Sequence, residues 1–247
     1  MTTPMTTPTT RSTLTPANRT PTKGDRFQST NPEDFPVPYG KDEDWRFTPM
    51  RRLRGLQKND GAPAARQRIT VDTAGQAGVA YSEIPMDDAR VGRAGLPVDR
   101  PAAEAWTNCP VADHISVDKD AVLTEPINIV VTGAGDEVTS YGTTVVDLGT
   151  FAEAVVVIRY EGDGVHSDNL EFVLGDGSKL TVVVWEDWGR TAVHLSNSHI
   201  LVGRDATIRH TAAVFGGDVV RSLPHVRYAG PGGDAEMLGV YFADAGQ

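Results

Sequence analysis

From about Ile115 onward, short runs of β-branched and apolar residues alternate with polar ones. I-N-I-V-V-T, T-T-V-V-D-L, E-A-V-V-V-I-R-Y, L-T-V-V-V-W and A-T-I-R-H-T-A-A-V-F carry the period-two pattern of half-buried strands. The glycines Gly133, Gly149, Gly162, Gly175, Gly189, Gly203, Gly216 and Gly230 follow one another at 16, 13, 13, 14, 14, 13 and 14 residues, so turns recur at a nearly fixed interval. Alternate turns also carry similar text: G-T-F-A-E-A-V-V from Gly149, G-D-G-S-K-L-T-V from Gly175, G-R-D-A-T-I-R-H from Gly203 and G-G-D-A-E-M-L-G from Gly232, in steps of 26, 28 and 29. In that register a small residue falls three positions after each glycine (Ala152, Ser178, Ala206, Ala235), and a mostly larger apolar one falls two further on (Ala154, Leu180, Ile208, Met237). The alternation then runs through Val156, Val182 and His210, and through Ile158, Val184, Ala212 and Tyr241. Such columns are what a solenoid needs, because each coil buries its inner face only against the equivalent residues of the next. An antiparallel sandwich has strands at similar spacing, but nothing in its physics makes every second turn repeat the same residues. The pattern predicts a mainly β protein whose residues 115–247 form a right-handed parallel β-helix of flattened section, with about 27 residues per coil and about four or five coils.

The text ahead of residue 115 is of another kind. Residues 1–30 hold eleven threonines and four prolines and carry a charge of +3, a composition that favours a solvated, disordered tail. Residues 31–114 are expected to form a small N-terminal region with short helices. Closely spaced prolines give way there to an acidic first turn and to Trp45, Phe47, Met50, Leu53 and Leu56 at helical spacing, which predicts an amphipathic helix from about Asp42 to Leu56. Its Arg46, Arg51, Arg52 and Arg54 offer a docking surface, although arginines on the wet face of a helix usually serve solvation. The Ala-rich Pro101–Trp106 predicts a second helix, and Arg68–Val71 a strand.

Composition removes several classes of function. With 39% hydrophobic residues the chain has enough apolar material for a sizeable core, and its net charge of −10 argues against nucleic-acid binding. No window approaches the apolar length of a membrane span, and no hydrophobic stretch of a secretory signal is seen before Phe27, so a cytoplasmic protein with no membrane partner is expected. The lone Cys109 supplies neither an internal disulfide nor a multi-thiolate metal cage, and its neighbours Asn108 and Pro110 do not mark it as an activated nucleophile.

Residues 131–188 hold eleven acids against Arg159 and Lys179, many beside turn glycines, where Asp is ordinary turn chemistry rather than calcium ligation. Glu186 and Asp187, with Trp185 and Trp188 beside them, suggest carbohydrate cleavage, but neighbours on a strand point to opposite faces and cannot flank one bond. Six histidines are present: His114, His166, His194, His199, His210 and His225. His194 and His199 differ by an odd number and so face opposite ways on a strand, and no tight ligand set is expected. His210 falls in the inward column of Val156 and Val182, where a neutral, hydrogen-bonded core imidazole with lowered proton affinity is expected. The G-x-S-x-G and phosphate-loop signatures are absent. No catalytic, cofactor-binding or metal-binding residue is therefore assigned.

Four stretches, in this order, resemble the SufB/SufD family: E-D-W-R-F-T-P-M-R-R-L from Glu43, E-P-I-N-I from Glu125, G-R-D-A-T-I-R-H-T from Gly203 followed by F-G-G-D, and G-G-D-A-E-M-L-G-V-Y-F-A-D-A-G-Q from Gly232. The P-V-P-Y-G-K-D-E-D-W-R-F-T run looks more like SufD of actinobacteria than like SufB. The resemblance implies a β-helix scaffold subunit of iron–sulfur cluster assembly, not an enzyme, that joins a SufB-like scaffold and a SufC-like ABC ATPase. It also implies a transient iron–sulfur cluster at the partner interface rather than one held by this chain alone. The family's SufC-docking segment and its interface histidine lie in a C-terminal part beyond Gln247, so neither is carried over, and the chain is expected to be a truncated form. A solenoid stopped there exposes an apolar coil end and an unpaired strand edge, which favours aggregation. A carbohydrate-active or adhesive β-solenoid is the alternative reading.

Overall fold

A computed structural model describes residues 26–60 and 62–243. Most of the expected Thr/Pro-rich tail, up to residue 25, lies outside the described residues. Thirteen strands are present among the described residues. Ten of them pair off into five coils: β4 (Val111–Val117) with β5 (Ile127–Thr132), β6 (Gly135–Leu148) with β7 (Glu153–Gly162), β8 (Gly164–Leu174) with β9 (Lys179–Trp188), β10 (Val193–Val202) with β11 (Thr207–Val214), and β12 (Val219–Tyr228) with β13 (Asp234–Tyr241). The first strand of each coil stacks in parallel on the first strand of the next to make one sheet, and the second strands make the other, at about 27 residues per coil. This is the predicted parallel β-solenoid.

The N-terminal end is closed differently. Strand β2 (Arg68–Asp72) runs antiparallel on β5, and β3 (Val79–Pro85) runs antiparallel on β4, so two consecutive strands cover the first coil on both sheets. The short β1 (Ala64–Arg66) pairs with β6. Ile69, Val71 and Val79 pack onto the lumenal core from this end.

The lumen is filled by the predicted columns over three coils. Val156 lies opposite Val182 and Val182 opposite His210; Ile158, Val184 and Ala212 follow in the same way, and all six are inward positions. Ala152, Ser178 and Ala206 are fully buried at equivalent turns, each donating its N–H to the carbonyl of the glycine three residues earlier. The last coil is displaced by two residues from its expected place in the columns: Ala235 lies opposite Ile208, Met237 opposite His210, and Tyr241 opposite Val214. The turn equivalent to Gly203 is Gly230, not Gly232. At the turn between the two strands of each of the last four coils, the second residue after the glycine adopts positive φ: Phe151, Gly177, Asp205 and Gly232. A backbone requirement, which the look-alike G-x-D-A text does not report, therefore sets the register.

The recurring glycines have a steric cause. Successive coils come so close at the corners that a Cβ on Gly203 would lie 2.6 Å from the Leu174 carbonyl oxygen, and one on Gly175 would lie 2.8 Å from that of Leu148. Backbone cannot swing aside as a long side chain can, so the corner residue carries no side chain.

The two sheets differ in what lies on their outer faces. Along β7 and β9 burial alternates, leaving the outer face of that sheet in solvent. Along β8 every residue is buried, because the N-terminal region covers the outer face of the other sheet. Trp45, Leu53 and Leu56 pack there with Ala105 against Tyr141, Val165, Val193 and Leu195. The helix expected over 42–56 is instead two 3-10 turns, Glu43–Trp45 and Met50–Arg52, and Phe47 points to solvent at 91% exposure. Its arginines are not all solvated: Arg52 forks onto Asp218 and Arg54 reaches Asp136. Helix α1 (Arg100–Asn108) includes the predicted Pro101–Trp106, is capped by the Asp99 carboxylate, and accepts the Asn169 amide on its Ala102 carbonyl at 3.0 Å. Glu171, on the same face, accepts the N–H groups of Gly92 (2.7 Å) and Ala94 (3.2 Å) and so pins the covering segment.

Two outcomes follow from this packing. Gly203→Ala is expected to lower the urea midpoint, at a cost of about 1–3 kcal/mol for forcing a methyl group into backbone. Gly239→Ala, where a Cβ meets nothing within 4 Å, should be neutral in the same assay. Burial pushes the Glu171 carboxyl up to about 7, against the two N–H bonds that favour its charge. The folded chain thus keeps this proton where the unfolded chain has lost it. Stability should fall as pH rises from about 4.5 through about 7, by on the order of 3 kcal/mol, and Glu171→Gln should flatten that slope in denaturation curves taken across the window.

Candidate functional site

The inward positions of β8 and β9 change character along each strand. Leu170, Phe172 and Leu174 on β8 meet Leu180, Val182 and Val184 on β9 in an apolar core, while His166 and Asp168 open β8 and Glu186 and Trp188 close β9. The even-numbered positions all face the lumen, so the polar ones gather at the edge where the second sheet hands the chain back to the first. The neighbouring coils add Tyr160 from the end of β7 and His194 from the start of β10. His194 lies directly opposite His166 in the parallel register, and His166 lies opposite Ser140 of β6.

The result is a sealed polar corner. Tyr160, His166, Asp168 and His194 are each at most 1% exposed, and Glu186 is 2% exposed. His194 bridges two carboxylates, with Nδ1 2.8 Å from Glu186 Oε2 and Nε2 3.3 Å from Asp168 Oδ1. Trp188 Nε1 donates to the same Glu186 oxygen at 2.7 Å, and the Tyr160 hydroxyl donates to Asp168 Oδ2. His166 Nδ1 sits 2.9 Å from Ser140 Oγ and 3.1 Å from the Ser140 carbonyl oxygen, while its Nε2 lies 3.5 Å from Asp168 Oδ2. His166, Asp168 and His194 are thereby a convergent group of metal-ligating type, with donor atoms within 4.8 Å of one another.

Electrostatics follows from this enclosure. Burial works against the charge on Asp168, but His194 and His166 outweigh it and hold the carboxyl well below the usual carboxylate range. Burial alone would strip the proton from His194; Glu186 and Asp168 instead push its pKa up to about 10. Burial first, and then the Asp168 charge, lifts the Tyr160 hydroxyl well above its ordinary value. The carboxylates face imidazoles rather than guanidinium or ammonium groups.

The expectation of no tight ligand set thus fails at His166 and His194. Comparing His194 with His199 along one strand asks the wrong question, because the convergence runs between coils. The usable signal is that His166 and His194 are separated by the same step as the turn glycines Gly175 and Gly203. His199 and His225 stack in the same manner, rings 5.1 Å apart, on the covered outer face, where burial drives the His199 pKa down to about 3. His210 lies in the lumen against the Phe172 edge, and burial lowers its proton affinity, as its column requires. His114 is buried beside Asp147 at 3.9 Å. Glu186 and Asp187 do face opposite ways: Asp187 meets Arg159 on the open face, where Trp185 also lies. Cys109 is buried at the end of α1, its thiol pushed up to about 11 by desolvation, which removes thiolate character at neutral pH. No helix among the described residues is long and apolar enough to cross a membrane.

Residues 130–247 match the domain described as SUF system FeS cluster assembly, SufBD core domain. The chain is 45% identical over 225 residues to iron–sulfur cluster assembly SufBD family proteins of Mycobacterium tuberculosis, Mycobacterium bovis and Mycobacterium leprae; the match covers 91% of this chain and 56%, 56% and 57% of theirs. The chain therefore spans about half the length of the curated relatives it matches. No solved structure matches it.

In the polar corner, His194→Leu leaves two buried carboxylates without the imidazole between them and is expected to cost about 3–5 kcal/mol in urea denaturation. A loss below about 1 kcal/mol would show that the corner is not held by this ion-pair network.

Proposed function

We propose that the chain is a member of the SufBD family of the SUF iron–sulfur cluster assembly system, which its similarity to SufBD proteins supports, and that it is a non-catalytic scaffold subunit acting through contacts with a SufB-like scaffold and a SufC-like ABC ATPase. The cluster under assembly is cargo at the interface with the partner rather than a resident group of this chain, and the work is cytoplasmic. Residues 31–114 serve as the region that covers one sheet, and residues 115–247 as the solenoid that presents the other.

The observation that carries this reading is the asymmetry of the solenoid. Along β8 and β10 one sheet is buried on both faces, while β7 and β9 leave the outer face of the other sheet open. On that face Trp185, Phe215 and Phe242 stack coil over coil, with ring centroids 4.8 and 5.3 Å apart, and they remain 42%, 38% and 61% exposed. Exposed aromatic columns on a sheet face suit protein contacts. The lack of an enzymatic role is supported by Cys109, whose buried thiol is the opposite of an activated nucleophile. The opposed directions of Glu186 and Asp187 take away the paired carboxylates on which a carbohydrate-cleaving alternative would rest.

Co-expression with the SufB-like and SufC-like proteins of the same genome tests the proposal. A tagged chain is expected to retain both partners through affinity and size-exclusion steps. A chain that is folded by circular dichroism but retains neither partner overturns the reading.

A further inference from the structure

We propose that the lumenal corner formed by His166, Asp168 and His194 is a binding site for one divalent first-row transition-metal ion. The inference stands on the side chains themselves and does not depend on the partner reading above.

The first argument is the donor set. Two imidazoles and one carboxylate supply the borderline nitrogen and oxygen ligands that suit ferrous, cobaltous or zinc ions, whereas calcium and magnesium prefer cages of oxygen alone. Each imidazole faces its own carboxylate oxygen, His166 Nε2 at 3.5 Å from Asp168 Oδ2 and His194 Nε2 at 3.3 Å from Asp168 Oδ1, separations that donors about 2.0–2.2 Å from a common ion would have. All three side chains project from adjacent parallel strands, which fix them more tightly than loops would.

The second argument is an unpartnered atom. His166 is 1% exposed, and its Nε2 has no hydrogen-bond partner. In the tautomer that a metal at Nε2 requires, with Nδ1–H donating to the Ser140 carbonyl, Nε2 carries a lone pair aimed at the Asp168 carboxylate. Left that way, a buried acceptor faces an anion, which is unfavourable; an ion between the two satisfies both.

The third argument is the outer layer. Each proposed ligand is oriented by a second group: Ser140 on His166 Nδ1, Glu186 on His194 Nδ1, and the Tyr160 hydroxyl on Asp168 Oδ2, with Trp188 fixing Glu186 in turn. This is how metal-ligating histidines and carboxylates are held. Asp168 and Glu186 together carry two negative charges inside the lumen, and a divalent ion that displaces the proton from His194 Nε2 balances them with both imidazoles neutral.

Because the corner is sealed, the ion must enter as the chain folds, so the test loads the 247-residue chain in cells grown with cobalt as the sole added transition metal. Metal content and cobalt K-edge X-ray absorption are then measured, readouts that do not require the chain to be monomeric. About one cobalt per chain is expected, in a shell of nitrogen and oxygen with the outer scattering of two imidazoles and no sulfur. His166→Gln and Asp168→Asn should each reduce cobalt per chain at least tenfold, and Tyr160→Phe should weaken retention against a chelator by about tenfold or more. Markedly substoichiometric cobalt in the wild type, a sulfur-containing or imidazole-free shell, or unchanged cobalt in folded His166→Gln and Asp168→Asn chains overturns the proposal. The wild-type spectrum is decisive even if a variant fails to fold.

Discussion

Every feature of this molecule depends on how closely one coil of backbone rests on the next. The strands hydrogen-bond along the solenoid axis, so an inward side chain is enclosed only by its equivalents in the coils on either side. Val156, Val182 and His210 are neighbours for that reason, though far apart in the chain. The same closeness excludes a Cβ at the corners, which makes the glycine spacing a direct imprint of the stacking. It goes with a left-handed backbone position two residues after Gly149, Gly175, Gly203 and Gly230, and that position sets the register of the last coil.

An interior built this way is costly for charge. Two carboxylates and two histidines lie in the lumen with exposures of 2% or less, and they persist because each is held by a neighbour from another coil. Desolvation and pairing act in opposite directions on Asp168 and His194, and pairing prevails for both. The two carboxylates gather with His166 and His194 at one edge of the lumen, away from the aliphatic columns into which His210 is set.

The N-terminal region divides the solenoid into a covered and an open side. Aromatic and aliphatic anchors, the Arg52–Asp218 and Arg54–Asp136 pairs, the Arg221 guanidinium lying 3.8 Å over the Trp45 ring, and the Glu171 clasp hold it on the first sheet. The second sheet is left with charged ladders such as Lys179–Glu153 and Arg209–Asp234, and with its stacked aromatics. The solenoid thus has one covered and one open face, and its residues 130–247 match the SufBD core domain.

The parallel solenoid and its approximate period were legible in the sequence, because inward alternation and steric exclusion at the corners leave their mark residue by residue. The inward place of His210 and the opposed faces of Glu186 and Asp187 were legible for the same reason. The register of the last coil was not, since φ at Gly232 is a backbone property that similar letters conceal. Nor was the irregular 42–56 segment, where packing of Trp45, Leu53 and Leu56 onto the sheet outweighed helical spacing. The convergence of Tyr160, His166, Asp168, Glu186 and His194 was decided by the tertiary structure alone: these residues come from four strands of three coils, and only the summed offsets of the intervening turns bring their polar atoms to one corner. The sequence determined that the chain would coil, because that requirement is local and repeated; which side chains would meet inside depended on the exact length of every turn.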